Sequence, residues 1–371
     1  MRVPSFARAA VFALPLLSIS LPALADIKIG VGVPLSGRLA AVGTQLRRGA
    51  DQAVSDINAK GGVLGQKLVV DAVDDGGEPT QSVAAANRLV TDRVAMVMGH
   101  MTTGTTMPAA QVYADEGVIV ITPSSTSPEL TAQGWDTLFR TCGRDDQQGQ
   151  VIGAYLADHY KGGKIAIVDD QTTYGKGLAD AVRATLKARG VAVALNGTLT
   201  AGEKDFSSMV TRLKSADVDA VFYGGLYPEA GLLVRQSRTA GLKAAFLAGD
   251  TLASDEFWTT AGAMGEGVMM AYNADVRQSP AAKEALDSFR KNGGEPNIFS
   301  LYSYAAVQVW AQAAARAGST DPKKVAAVLH SGQEFMTAVG PVSYDAKGDR
   351  KQNDYVIYAW HNGAYAPLAK Q

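Results

Sequence analysis

The chain contains a single cysteine, Cys142, among 371 residues. One thiol excludes an intramolecular disulfide, so hydrophobic cores alone must hold the fold. In the run RTCG no histidine stands nearby to activate that thiol, and the expected role is that of a small buried hydrophobe. Histidine is nearly as scarce: His100, His159, His330 and His361 have no i, i+4 partner and no carboxylate spaced as in a zinc site. No metal centre and no cofactor are therefore expected. Charge of one sign is also lacking, because 35 basic and 36 acidic residues leave a formal charge of -1. With both signs dispersed along the chain, a nucleic-acid surface is excluded and a small neutral or zwitterionic partner fits better.

Long apolar runs are missing as well. The longest, Ala9 to Leu21, follows Arg2 and Arg8, contains Pro15 and precedes Ala23-Leu24-Ala25. It is too short to span a bilayer and fits a signal peptide over residues 1–25, with the mature chain starting at Asp26. Asp26 is not the cysteine that lipidation requires, so no lipid anchor is expected. The remaining length exceeds what one core usually organises, and two lobes are expected.

What the chain does have is a strict alternation of short β-branched runs and longer helical spacings. IKIGVGV, a helix over 44–60, KLVVDAV, a helix over 79–92, VAMVMG, a helix over 105–115 and VIVIT form one series. A second series runs through a helix over 145–160, KIAIVDD, a helix over 175–189, VAVAL, a helix over 205–215, DAVFYGG, a helix over 228–240 and AAFLAGD. Such alternation predicts parallel βαβ units, hence an α/β fold with two doubly wound sheets. VMMAY, helices over 280–291, 299–317 and 322–330, and a last strand DYVIYAW follow. No Pro-rich linker separates the lobes, and short crossings are expected near 143, 273 and 351.

Open parallel sheets bind ligands beyond the carboxyl ends of their strands. Two adjacent strand ends, in GHMTTGTTMP and VITPSSTSPEL, carry seven hydroxyls between them: Thr102, Thr103, Thr105, Thr106, Ser124, Ser125 and Thr126. Each turn is followed by a proline-marked helix start, with Ser127 read as a cap before Pro128. Capping explains some of these hydroxyls without any ligand. Seven exceed what two caps require, and helix N-termini suit a carboxylate, so a small-anion site is expected here. The stretch Gly99 to Gly104 lacks the Gly-Lys-Ser/Thr ending of a phosphate loop, and no G-x-S-x-G elbow activates a serine. Neither nucleotide binding nor hydrolysis is indicated, and His100 beside the threonines reads as structural. Asp250 can cap a helix over 253–262 or take a ligand ammonium; Tyr174 can pack or close over a ligand.

The stretches DINAKGGVLGQKL, YADEGVIVITPSSTSPELTAQG, IAIVDDQTTYGKGLADAV, TAGEKDFSSMVTRLK, YGGLYPEAGLLVRQSRTAGLK and MTAVGPVSYDAKGD together resemble the branched-chain amino acid binding proteins of Gram-negative ABC importers, over about Asp26 to Trp360. The resemblance implies a type I periplasmic binding protein: two Rossmann-like lobes joined by three hinge crossings, closing like a flytrap. Lobe 1 would comprise 26–143 plus 274–351, and lobe 2 144–273 plus 352–371. It implies a periplasmic, non-enzymatic receptor, expected to be a monomer, that delivers an amino acid to an inner-membrane permease. Carried over residue by residue, Thr103, Ser124, Ser125 and Thr126 would hold the α-carboxylate and help hold the ammonium. Tyr174 would be the loop tyrosine, and Asp250 the acid on the ammonium, where relatives usually show Glu. Departures fall on the side-chain subsite. Val42 stands where an aromatic is usual and Leu226 where a second tyrosine is usual, while Phe299 matches an apolar pocket residue. Gly77 and Thr102 replace a cysteine pair found in some relatives. A related ligand, such as an aromatic or short-chain carboxylate, an amide or urea, and a sensory receptor role are the alternatives.

Overall fold

A computed structural model describes residues 25–368, so the expected signal peptide lies outside the described residues apart from Ala25. The first series gives β1 (Ile27–Val33), α1 (Ala40–Ala59), β2 (Leu68–Asp74), α2 (Pro79–Thr91), β3 (Met96–Gly99), α3 (Thr103–Asp115), β4 (Ile119–Thr122), α4 (Pro128–Thr131) and β5 (Leu138–Arg140). These strands form one parallel sheet in the order β2-β1-β3-β4-β5. Ile29, Val31 and Val33 in central β1 are fully buried, because helices cover both faces of a parallel sheet.

The second series gives α5 (Asp145–His159), β6 (Ile165–Asp169), α6 (Thr173–Ala188), β7 (Val193–Thr198), α7 (Ser207–Ala216), β8 (Ala220–Gly224), α8 (Tyr227–Thr239), β9 (Ala245–Ala248), α9 (Asp255–Ala261) and β10 (Met269–Asn273). After β10 come α10 (Lys283–Lys291), α11 (Ile298–Ala317), α12 (Pro322–Leu329), the hairpin β11 (Phe335–Thr337) and β12 (Gly340–Val342), then β13 (Tyr355–His361) and β14 (Ala364–Pro367). The second sheet runs β14-β13-β10-β9-β8-β6-β7.

The end of the second sheet differs from the sequence expectation in two ways. DYVIYAW is not the last strand, since β14 follows it. The second sheet is also mixed: β13 pairs antiparallel to β10, and β14 antiparallel to β13. Asn362-Gly363, both with positive φ, form the two-residue turn that reverses the chain there.

The long α11 returns to the first sheet, where it packs on α1. Ser303 Oγ donates to Leu46 O at 2.7 Å and Ser300 Oγ to Gln45 O at 2.8 Å. The chain thus passes between the two lobes before α5, after β10 and before β13. That arrangement places the carboxyl ends of both sheets against one cleft.

Candidate site in the interlobe cleft

The first hydroxyl cluster is not a turn ahead of a proline. It is the first turn of α3, which starts at Thr103 rather than 105 and contains Pro108 in its interior. A capping box sets that start: Thr105 N donates to Thr102 Oγ1 at 3.2 Å, and Thr102 N to Thr105 Oγ1 at 3.2 Å. At the second cluster Ser127 caps α4, its Oγ accepting from Glu129 N at 3.3 Å, with Pro128 at the first helical position.

Most of the seven hydroxyls are used internally. Thr102 and Thr105 serve the capping box, Thr106 bonds Ser125, Ser124 Oγ donates to Met101 O at 2.7 Å, and Ser125 Oγ lies 3.3 Å from His100 O. Thr103 Oγ1 and Thr126 Oγ1 are buried with no partner. Leaving a buried hydroxyl unpaired costs roughly 1–3 kcal/mol, and Thr126 lies against the start of α5, its carbonyl accepting from Asp145 N at 2.9 Å.

The opposite wall comes from the second lobe. Asp250 opens a short 3-10 turn after β9, and Tyr174, at the start of α6, donates its hydroxyl to Asp250 Oδ1 at 3.0 Å. Asp250 is not the cap of the following helix. That helix starts at Asp255, and Ser254 Oγ caps it by accepting from Glu256 N at 3.3 Å. Gln148 Oε1 accepts from Asp250 N at 3.0 Å. Gly249 is required beside them, because a Cβ there would collide with Tyr174 Oη and Gln148 Oε1.

A second acid faces this site, one that the sequence reading did not single out. Asp145, the first residue of α5, is 1% exposed, and neither carboxylate oxygen has a hydrogen-bond partner. Burial, reinforced by the Asp250 charge, pushes its carboxyl up to about 8; the Thr126 hydroxyl, nearby but outside bonding geometry, offsets part of this. Burial likewise pushes Asp250 up to about 6, against the hydrogen bond from Tyr174 and the neighbouring Gln148 amide. In the sequence, Asp145-Asp146 reads as an ordinary acidic helix start. Asp146 plays that part, pairing with Arg144 Nε at 2.9 Å, whereas Asp145 turns inward.

Asp145 and Asp250 lie close enough for the second to raise the proton affinity of the first, and neither forms an ion pair with a basic side chain among the described residues. They also set the ligand-free stability. Both acids titrate above the ordinary 3.8, so in between the folded chain holds more protons than the unfolded chain. Stability of the empty protein is then expected to fall as pH rises from about 4 towards about 8, and Asp145→Asn should flatten that fall. Thermal melts across this range check the slope; a flat wild-type profile would show that the two acids are not held apart from solvent charge.

Apolar residues flank the polar core. Leu226 precedes α8 and lines a cavity of about 470 Å3 with Tyr174, Thr102, Gly104 and Arg38. Val42 lines a second cavity of about 410 Å3 with Ala253 and Ser254. Phe299, at the start of α11, meets Tyr272 of the other lobe edge-on at 6.0 Å. The lobes touch across the cleft, with Arg38 Nη1 donating to Glu229 Oε1 at 3.1 Å and Tyr227 Oη to Arg38 O at 3.1 Å. Neither of these cavities, nor a third of about 750 Å3 between Trp135 and α12, is lined by Asp145, Asp250, Thr103 or Thr126.

His100 is structural, as read: its Nδ1 lies 2.6 Å from Asp75 Oδ2 and its Nε2 3.0 Å from Tyr113 Oη. Cys142 is buried and its thiol is pushed up to about 12 by that burial, which keeps it inert. Among the described residues no cluster of three His, Cys, Asp or Glu is placed to hold a metal, and no helix is long and apolar enough to cross a membrane.

The sequence model of the family described as "periplasmic binding protein" matches residues 26–364. The chain belongs to that family. Within it, the chain is 46% identical over 343 residues to the Leu/Ile/Val-binding protein homolog 1 of Brucella abortus (strain 2308), covering 92% of each. Its fold is that of solved family members. The branched-chain amino acid transporter substrate-binding protein LivJ of Streptococcus pneumoniae, in complex with isoleucine, superposes with a TM-score of 0.84 at 30% identity, covering 93% of this chain and 99% of that one. The leucine-binding protein LivK of Thermotoga maritima gives 0.86 at 28% identity, over 92% and 98%. The α/β architecture of two Rossmann-like lobes joined by three crossings is thus the type I periplasmic binding protein fold.

Proposed function

We propose that the protein is the periplasmic substrate-binding component of an ABC importer, capturing an aliphatic or aromatic L-amino acid of the branched-chain type. The observation that carries this reading is the buried pair Asp145 and Asp250, neither matched with a basic side chain, with the unpartnered Thr126 hydroxyl beside Asp145 at the crossing between the lobes. A zwitterion satisfies both sets at once. The ammonium bridges Asp250 and Asp145, with Tyr174 closing over it, and the carboxylate meets Thr103, Thr126 and the N-terminal turn of α3. Ser124 and Ser125 shape the turn that carries Thr126, because both their hydroxyls and their main-chain N–H groups are engaged within the lobe. Leu226, which shares a cavity with Tyr174, receives the side chain, whereas Val42 lines a different cavity and Phe299 packs on Tyr272.

Lobe 1 comprises 26–143 plus 274–351 and lobe 2 the rest of the mature chain. The ligand favours closure because only the closed cleft lets both lobes engage it. Each charge-assisted hydrogen bond contributes roughly 1.5–3 kcal/mol. No chemistry is performed on the ligand; a monomer delivers it to the permease after export through a cleaved signal peptide.

A thermal-shift series tests the reading. L-Leucine, L-isoleucine, L-valine and L-phenylalanine should include ligands that raise the melting temperature, by about 4 kcal/mol of added stability at a thousandfold excess over Kd. 4-Methylpentanoate and benzoate, which lack the ammonium, should leave it unmoved. The reverse pattern would assign the cleft to bare carboxylates.

A further inference from the structure

The buried side chain of Gln148 has no part in the clamp just described, yet both ends of its amide are committed. Gln148 lies on α5, is fully buried, accepts from Asp250 N through Oε1 at 3.0 Å and donates through Nε2 to Tyr355 Oη at 3.3 Å. The amide has one orientation that serves both partners, with the carbonyl towards the main-chain N–H and the NH2 towards the phenol. Asp250 itself begins a three-residue turn at a strand end, and Gly249 is bare so that Gln148 can reach its N–H.

Tyr355 stands where the three crossings meet. It opens β13, directly after the last crossing, and pairs in register with Asn273, the final residue of β10 before the second crossing. Its ring lies against Gly143, at the first crossing, so closely that a Cβ on Gly143 would run into it. A shift of one lobe against the other therefore has to pass through residues that Tyr355 touches.

We infer that Gln148 is a positioning residue that holds the ammonium-binding Asp250 in register with the hinge, through Tyr355. The inference rests on the reading that Asp250 takes the ligand's ammonium. It differs from that reading in assigning to a residue remote from the ligand a share of the affinity, transmitted by main-chain placement. The ionisable groups facing Asp250 are Asp145 on α5, Tyr174 on α6, Tyr272 on β10, Tyr355 on β13 and Cys142 ahead of α5; none of them replaces the Gln148 acceptor at the Asp250 N–H.

The test uses the mature full-length protein with L-leucine, or whichever amino acid gives the largest thermal shift, as probe. Gln148→Leu keeps the bulk and removes both bonds. It should weaken binding about tenfold near neutral pH. It should also move the acidic loss of affinity to higher pH, because one of the groups that favours ionised Asp250 is gone. A residue that served only packing would lower the melting temperature without moving that midpoint. Tyr355→Phe removes one hydroxyl, leaves the Gln148 NH2 unpaired and should weaken binding about threefold. If Gln148→Leu folds and binds within about twofold of wild type with the midpoint unmoved, while Asp250→Ala loses binding, the positioning role is overturned and the ligand reading stands. If Asp250→Ala keeps its affinity, the ligand reading is overturned and this inference goes with it. Should Gln148→Leu fail to fold, Tyr355→Phe decides, an unchanged affinity overturning the proposal.

Discussion

Replacing Asp250 with alanine is expected to remove amino-acid binding while leaving the empty protein as stable as before, or more so. Truncating one partner of a buried, hydrogen-bonded charge pair costs roughly 2–5 kcal/mol, which is about 30- to several-thousandfold in Kd. The loss should be near the upper end here, because Asp250 is buried and the proposed ammonium would meet it away from bulk water. In the ligand-free chain the balance is opposite. Asp250 is titrated upward by burial and sits against a second acid, Asp145, so its removal relieves a cost. Tyr174 loses its acceptor, which returns part of that gain. Calorimetry with L-leucine, L-isoleucine and L-phenylalanine reads the first effect, and ligand-free melts read the second. Asp250→Asn separates charge from shape: it keeps the acceptor for Tyr174 and should lose nearly as much affinity. Equal affinities in wild type and both variants would falsify the ammonium assignment.

The alternation of strands and helices was legible because the core strands are short apolar runs, and the amphipathic helices show i, i+4 apolar spacing, as Leu178, Val182 and Leu186 do in α6. What escaped is short or locally determined. β5 and the β11-β12 hairpin are three-residue strands, below the length at which alternation shows, and β14 owes its existence to the turn at Asn362-Gly363. α3 starts two residues before the expected position because a threonine-threonine capping box outweighs the cue from Pro108.

At the site, Thr103, Thr126, Tyr174 and Asp250 could be picked out because they occupy strand-to-helix junctions, where side chains reach a cleft. Composition alone did not separate the two free hydroxyls from the five engaged ones; that distinction depends on which carbonyls, Met101 and His100 among them, lie opposite. Asp145 and Gln148 escaped for a different reason. They sit at i and i+3 on α5 beside Asp146 and Gln147, and nothing in the run DDQQ tells which of the four turns inward. The answer depends on the crossing just before α5, where the chain enters from the other lobe.

That crossing is also where the largest loss of stability is expected, on replacing Arg140 with leucine. Arg140 is fully buried at the end of β5 and donates to Ser125 O at 2.9 Å, Ser127 O at 2.9 Å and Thr131 Oγ1 at 3.0 Å. Its Nε lies 2.8 Å from Asp349 Oδ1, and Asp349 Oδ2 receives Arg144 Nη1 at 3.0 Å. One guanidinium therefore fixes the carbonyls of the turn that carries Thr126 and ties it to residues beside the first and third crossings. Removing it strands buried carbonyls and leaves the Asp349 carboxylate with Arg144 and Thr131 alone. Breaking a buried pair from one side costs roughly 3–5 kcal/mol, about 10 °C in melting temperature for a lobe of this size. Replacing both partners, as Arg140→Leu with Asp349→Leu, should cost less than the two single changes together, because no unpaired charge remains. Denaturant unfolding measures this coupling. The same variant is expected to bind its amino acid more weakly although no ligand atom touches Arg140, since the Thr126 turn loses the donors that set its carbonyls. A cost within about 1 kcal/mol and an unchanged Kd would mean that the turn is held by the Thr122 hydroxyl and the α4 cap without the arginine.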